Sequence, residues 1–134
     1  MLRQRPGPTN ALGRIKFIFP NEHFVFLHDT PSRDLFTRDE RAFSSGCIRV
    51  QKPFELAELV LNDPQWNQQT MAEVVNSGQT HTVNLKSPVP VLILYWTAQP
   101  RPDGQVVFRN DVYNRDALTL AALNSDFRLP VARP

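Results

Sequence analysis

Cysteine is almost absent from this chain, which has a single one, Cys47, in 134 residues. One cysteine cannot form an intramolecular disulfide, so no disulfide framework holds the fold. Long apolar runs are also absent. The longest, VPVLILYW at 89–96, has the length of a buried strand and falls far short of the about 20 residues of a membrane-spanning helix. The first ten residues contain no apolar region of the signal-peptide kind.

A strong charge of one sign is missing as well. The chain has 15 Lys and Arg against 13 Asp and Glu, a net charge of +2, and the two signs are interspersed without a basic run. This pattern argues against a nucleic-acid partner. A mild basic balance is compatible with binding to an anionic polymer.

The apolar pattern predicts an irregular lead-in at 1–10, one domain at 11–123 and a flexible tail at 124–134. Two apolar stretches around a turn predict a β-hairpin over 13–28. The other predicted elements are a long loop at 29–46, helices from Pro53 and at 67–77, strands at 80–85, 89–98 and 105–110, and a helix at 115–123 capped by Asn114. This order predicts a mainly β, mostly antiparallel fold with a helical insertion.

The cysteine lies in the stretch RAFSSGCIRV, at 41–50. A thiolate nucleophile needs a nearby base or cation, donors for the developing oxyanion and access for its substrate. Gly46 lets the backbone turn sharply and present N–H groups. In an extended chain Arg49 lies on the same side as Cys47, where a guanidinium favours the thiolate or binds a carboxylate.

Three histidines are candidates for the base. His28 closes an apolar strand and enters the long loop that leads to Cys47, which makes it the best placed. His23 lies at the other end of that strand, about 16 Å away, and His81 stands in a polar stretch typical of a surface. Asp29 could orient the His28 ring through its side chain or its backbone carbonyl.

Other interpretations of these residues remain open at this stage. A lone cysteine is more often a buried apolar residue than a nucleophile. A zinc site of His23, His28, Asp29 and Cys47 matches no zinc spacing pattern. A cysteine peptidase of unrelated fold would use the same residue types. The charges of SRDLFTRDERAF are most simply a solvated loop face.

The stretch HDTPSRDLFTRDERAFSSGCIRV, at 28–50, resembles the active-site signature of L,D-transpeptidase catalytic domains, the YkuD-like family. That signature is a histidine, a gap of similar length, Ser/Thr-His-Gly-Cys, and a polar residue two places later. The lead-in GPTNALGRIKFIF and the stretch PVPVLILYWTA also resemble the large periplasmic subgroup. The resemblance covers residues 6 to 123, with Ser45 at the position of the signature's second histidine and Ala11 at that of a proline.

The resemblance implies a mainly β, β-sandwich-like fold with a short helical insertion after the catalytic loop, in a domain truncated at its N-terminus. It implies that Cys47 attacks a peptidoglycan tetrapeptide stem, releases D-Ala and forms a thioester. An amine of a neighbouring stem then takes the acyl group. His28 is the implied base and later acid, and the carbonyl of Asp29 orients it.

The implied oxyanion hole consists of the N–H groups of Ser45, Gly46 and Cys47, and Arg49 and Ser44 are the implied substrate contacts. No metal or cofactor is implied. The implied partners are donor and acceptor stem peptides, with carbapenem β-lactams as inhibitors, and the implied location is the periplasm. A carboxypeptidase that uses water as acceptor and a catalytically silent peptidoglycan-binding fragment are the alternatives.

Overall fold

A computed structural model describes residues 4–126 of the chain. The described residues form two compact units, the first reaching Val91 and the second beginning at Leu92. Positions 1–3 of the predicted lead-in and 127–134 of the predicted tail lie outside the described residues, and the predicted domain limits remain predictions. Within residues 4–126, no helix combines the length and the apolar character needed to cross a membrane.

The first unit contains a three-stranded sheet of very short strands, in the order β1-β2-β3. The strands are β1 (Lys16–Phe17), β2 (Leu27–His28) and β3 (Ile48–Arg49). The pair β1–β2 is antiparallel and the pair β2–β3 is parallel. The predicted hairpin over 13–28 is therefore confirmed, although its ladder is much shorter than the apolar pattern indicated.

The hairpin ladder is short because the side chain of Asn21 organises the connection. Its Oδ1 accepts from the backbone N–H groups of His23 and Val25, at 3.1 and 3.0 Å. Its Nδ2 donates to the carbonyls of Phe19 and Val25, at 3.1 and 2.8 Å. Backbone groups that a strand would offer to its neighbour are thus used within the turn.

The predicted helical insertion is confirmed. Helix α1 (Pro53–Leu61) has Pro53 in its first turn, where the missing N–H costs nothing. Helix α2 (Gln68–Asn76) begins after Asn67, whose side chain accepts from the N–H of Thr70 at 3.0 Å. The two helices bury Ala57 and Met71. This small apolar core lies directly after the sheet in sequence.

The second unit contains an antiparallel hairpin of β4 (Ala98–Pro100) and β5 (Val106–Phe108). Its turn closes with a 3.0 Å bond from the N–H of Gly104 to the carbonyl of Arg101, and Gly104 has a φ of +82°. The turn predicted at this point is therefore confirmed.

Helix α3 (Asp116–Leu123) follows the hairpin. The predicted cap Asn114 is wrong. The Asp111 carboxylate instead accepts from the N–H groups of Arg115 and Asp116, at 2.9 and 2.8 Å. A charged carboxylate satisfies two free donors of the first turn, and it also complements the positive end of the helix dipole.

Of the strands predicted at 80–85 and 89–98, the first is not formed and the second is formed only at Ala98. In the described chain, regular pairing resumes only at Ala98. Leu92 and Trp96, central to the predicted strand, are 81% and 58% exposed. An apolar sequence favours a strand, but a strand forms only where a neighbouring backbone offers its hydrogen bonds. The β content is therefore modest: within residues 4–126, five short strands in two sheets stand beside three α-helices.

Candidate active site

The end of β2 buries three consecutive polar residues. His28, Asp29 and Thr30 are only 5%, 2% and 3% exposed. The other buried residues of the described chain are Pro53, Ala57 and Met71. Because polar side chains are rarely buried without partners, this point of the fold requires a specific set of contacts.

The carboxylate of Asp29 is the centre of those contacts. Its Oδ2 accepts from the backbone N–H of Arg14 at 2.8 Å and lies 3.6 Å from the Nε of that arginine. Its Oδ1 accepts from the guanidinium of Arg33. Two cations and a backbone donor thus compensate the desolvation of one buried charge.

Gly13 fits against this carboxylate because it has no side chain. A Cβ at this position would lie 2.5 Å from the Asp29 carboxylate, far inside van der Waals contact. Gly13 also has a φ of +63°, in the left-handed region that glycine adopts without strain. The backbone before β1 can therefore close over Asp29 only with glycine here.

His28 is oriented by the backbone of the next residue. Its Nδ1 forms a short hydrogen bond with the carbonyl oxygen of Asp29. A carbonyl oxygen only accepts, so Nδ1 carries a proton in this contact, and in the neutral ring Nε2 is then the nitrogen that can act as a base. The structure thus brings together His28 and the Asp29 carbonyl.

The sheet register relates His28 to Cys47. Leu27 pairs with Ile48 and His28 with Arg49 in the parallel pair β2–β3. Cys47 directly precedes β3, and paired residues share a face while side chains alternate along a strand. Continuing the alternation of β3 by one residue therefore predicts Cys47 on the face of His28 and Arg49. For such an extended register, ordinary strand spacings predict a separation of about 8 Å between the Cα atoms of His28 and Cys47, which histidine and cysteine side chains can bridge. Cys47 is half-buried, as access requires.

The loop before Cys47 is held by the hydroxyl of Ser44. It donates to the carbonyl of Cys47 at 2.5 Å and receives a long contact of 3.4 Å from the N–H of Gly46. Within residues 4–126, the N–H groups of Ser45 and Cys47 have no hydrogen-bond acceptor. Gly46 does not need a positive φ in this loop, so its missing side chain is not a conformational requirement here.

Arg49 has a buried and incompletely satisfied guanidinium. Its Nε and Nη1 atoms are buried and have no hydrogen-bond partner in the described part of the chain. Such an arrangement is costly unless a further group supplies the missing acceptors. Since Arg49 pairs with His28 across the sheet, an acceptor bound here would lie beside the candidate base.

Comparison with known proteins identifies the family. Residues 2–93 match YkuD, the L,D-transpeptidase catalytic domain. The chain belongs to this family. A curated protein of Haemophilus influenzae named "Putative L,D-transpeptidase" is 39% identical over 126 residues, which is 93% of this chain and 25% of that relative. The chain thus spans about a quarter of the relative's length, and the resemblance read from residues 28–50 is confirmed at the level of the family.

In this L,D-transpeptidase domain the other two histidines lie on the surface. His23 and His81 are exposed, and the His81 ring lies 5.7 Å from that of Trp66. The residues of the zinc hypothesis form no suitable group, because the described residues contain no cluster of three or more His, Cys, Asp or Glu side chains that could hold a metal.

Sequence reasoning missed the residues that surround Asp29. The sequence predicts a solvated face for the charges after His28, which suits Arg38 and Asp34, an exposed pair 3.7 Å apart. That interpretation is wrong for Arg33, which is only 39% exposed and pairs with Asp29. The spacing of four residues between the two was the available signal.

Proposed function

We propose that this chain carries the reaction centre of a peptidoglycan L,D-transpeptidase, with Cys47 as nucleophile and His28 as base. The observation that carries the proposal is the parallel register of β2 and β3, which supports a shared face for Cys47 and the buried His28. Nε2 of His28 has no hydrogen-bond partner within residues 4–126. A thiol and an oriented imidazole form the pair that acyl transfer from an amide requires.

Acylation begins when Nε2 of His28 removes the proton of Cys47 Sγ. The thiolate attacks the carbonyl of the bond to the terminal D-Ala of a tetrapeptide stem, and a sulfur–carbon bond forms. The carbon–nitrogen bond then breaks, His28 returns its proton to the leaving nitrogen, and D-Ala departs. The product is a thioester between Cys47 and the shortened stem.

The oxyanion is bound by the backbone N–H groups of Ser45, Gly46 and Cys47. Support comes from the amides of Ser45 and Cys47, which have no acceptor within residues 4–126, and from the long, weak contact of Gly46 with Ser44. A well-placed donor in such a site contributes about 10²-fold or more to the rate. Ser44 shapes this loop, and its direct contact with substrate stays a prediction.

Arg49 binds a carboxylate of the donor stem. Its buried Nε and Nη1 have no partner in the described residues, and a carboxylate supplies two acceptor oxygens in matching geometry. An anionic stem peptide in an envelope polymer fits this requirement. The proposed location is accordingly the periplasm or cell envelope.

In the second half-reaction an amine of a neighbouring stem attacks the thioester. His28 accepts a proton from the amine, a new amide bond forms, and the thiolate of Cys47 leaves. Water in place of the amine gives a carboxypeptidase. No cofactor takes part in either step.

The test is intact mass of the full chain after exposure to a carbapenem and, separately, D-Ala release from a tetrapeptide stem. In the first reaction the thiolate opens the β-lactam ring, so the whole carbapenem mass is added. We expect one adduct in wild type and none in Cys47→Ala. A folded wild-type chain without adduct or D-Ala release contradicts the proposal and favours a silent binding module. D-Ala release that is independent of an added amine identifies a carboxypeptidase.

A further inference from the structure

Arg33 connects the two segments that carry the candidate base and nucleophile. It lies in a short 3₁₀ helix (Arg33–Thr37) inside the loop between β2 and β3. One end of its guanidinium pairs with Oδ1 of Asp29, directly after His28. The other end donates to the carbonyl of Gln51 at 2.5 Å, two residues beyond Arg49. The side chain of Arg33 therefore links the residues that follow β2 to the residues that follow β3.

This bridge continues a very short backbone ladder. Besides the bond within the ladder itself, β2 and β3 are joined by bonds from the N–H of Ile48 to the carbonyl of Phe26, at 2.9 Å, and from the N–H of Val50 to the carbonyl of His28, at 2.8 Å. The next connection across the pair is the guanidinium of Arg33. A two-residue parallel pair has few bonds to hold its separation, so a forked side chain at its end restricts it substantially.

The ion pair between Arg33 and Asp29 also acts on the imidazole of His28, through the backbone of Asp29. The Asp29 carboxylate, held by Arg33 and by the N–H of Arg14, fixes the backbone of Asp29. That backbone provides the carbonyl that orients Nδ1 of His28. Movement of the carboxylate would therefore rotate the base relative to the strand that follows Cys47.

We propose that Arg33 is a positioning residue, which sets the distance and orientation between His28 and Cys47 by joining Asp29 to the Gln51 carbonyl. The inference rests on the proposed function, because it assumes that His28 activates Cys47. No contact places Arg33 on either residue, so it acts only through the strand ends. Arg33 is one of several charged residues in this loop, and its guanidinium therefore helps to set the geometry of the candidate site.

The experiment measures the rate of Cys47 alkylation by iodoacetamide in the full chain from about pH 5 to about pH 9. Sulfur displaces iodide only as thiolate, so the rate rises with pH as the Cys47 thiol loses its proton. The pH at the midpoint of this rise is lower when the imidazolium of His28 pairs with the thiolate. In Arg33→Ala we expect a higher midpoint and about a 10-fold slower reaction below it, because a displaced base supports the thiolate less. Arg33→Lys retains the charge without the fork and should fall between the two.

The matched control is Arg38→Ala. Arg38 lies in the same loop, and its one ion pair within residues 4–126 is with exposed Asp34. Its profile should coincide with wild type. Circular dichroism confirms that each variant is folded, and Arg33→Lys carries the test should Arg33→Ala fail to fold. An unchanged midpoint in Arg33→Ala and Arg33→Lys overturns the inference.

A double-mutant cycle separates this inference from the proposed function. If Arg33 acts through His28, adding Arg33→Ala to His28→Ala changes neither midpoint nor rate further. A full Arg33 effect in the His28→Ala background overturns the positioning role while the proposed function stands. A profile unaffected by His28→Ala alone overturns the proposed base, and the inference falls with it.

Discussion

The two units of this chain differ in what they bury. The first buries three consecutive polar residues at the end of β2, surrounded by charged partners. In the described part of the second, residues 92–126, no residue is buried, and large apolar side chains such as Leu92 and Leu118 are 81% and 74% exposed. The least exposed stretch of the first unit is therefore polar, whereas the buried residues of an ordinary core are apolar.

The strand pairs show the same contrast. The pair β4–β5 is joined by a tight turn, so its hydrogen bonds follow from local geometry. The pair β2–β3 is parallel and has the long loop at 29–47 between its strands. Closing that loop has an entropic cost, and the ladder that offsets it is only two residues long. The contacts of Arg33 with the Asp29 carboxylate and the Gln51 carbonyl add to the bonds that hold the two strand ends together.

The largest expected effect is at the buried histidine. His28→Ala should lower the rate of carbapenem acylation at Cys47 by at least about 10²-fold, because the general base is removed. The measurement is the time course of adduct formation by intact mass. His23→Ala is the matched control, since it removes an exposed histidine from the same stretch, and its rate should equal wild type. Equal rates in both variants contradict the assignment of the base.

A smaller effect is expected from two glycines, one in each unit. Gly13→Ala forces a Cβ to 2.5 Å from the Asp29 carboxylate at positive φ, and we expect a loss of about 3 kcal/mol in the free energy of unfolding. Gly104→Ala has the same backbone cost with no atom within 4 Å of the Cβ, so about 1 kcal/mol is expected. The difference isolates the packing around Asp29.

The chain's two tryptophans let each unit be followed separately by urea denaturation. Trp66 lies in the first unit and Trp96 in the second. Gly13→Ala is measured with Trp96→Phe present, and Gly104→Ala with Trp66→Phe present. Equal losses of unfolding free energy in the two variants would mean that the Asp29 carboxylate can move away from a Cβ at position 13 at no cost. That result would contradict the description of this carboxylate as held by Arg14 and Arg33.

The smallest effect concerns acidification of the second unit. Bonds from the N–H groups of Asp116 and then Arg115 hold the pKa of Asp111 below its ordinary value near 3.8. A lowered pKa in the folded state stabilises α3 above the ordinary value, and this stabilisation is lost as the pH falls through the folded pKa.

Amide protection of α3 should therefore begin to fall below about pH 5. It should keep falling as the pH passes through the folded pKa of Asp111, which lies below 3.8. Hydrogen exchange by NMR, corrected for intrinsic rates, measures it. In Asp111→Asn this dependence should disappear, whereas Asp103→Asn, in the turn between β4 and β5, should retain it. Identical pH profiles in the two variants contradict capping by Asp111.

Much of this molecule could be predicted from local signals. Pro53 and Asn67 mark helix starts, and Gly104 marks a turn, because each acts through its own backbone or that of near neighbours. The stretch from His28 to Cys47 indicated the family. The strand predicted at 89–98 was wrong as far as residue 97, because pairing depends on a partner that an apolar pattern does not contain.

The contacts around Asp29 could not be predicted for a related reason. Gly13, Arg14 and Arg33 each look ordinary in sequence, as a turn residue or a surface charge. Their meaning depends on a buried carboxylate that β-sheet pairing brings to them. Only the interval of four residues between Asp29 and Arg33 was visible along the chain.

The hydrogen bond from His28 to the carbonyl of Asp29 has a genetic consequence. Every amino acid at position 29 contributes a peptide carbonyl, so no point mutation can delete the acceptor that orients the ring. A side-chain carboxylate in that role would be lost by a single codon change. A mutation at position 29 can therefore shift the carbonyl oxygen that accepts from His28, but it cannot remove that oxygen.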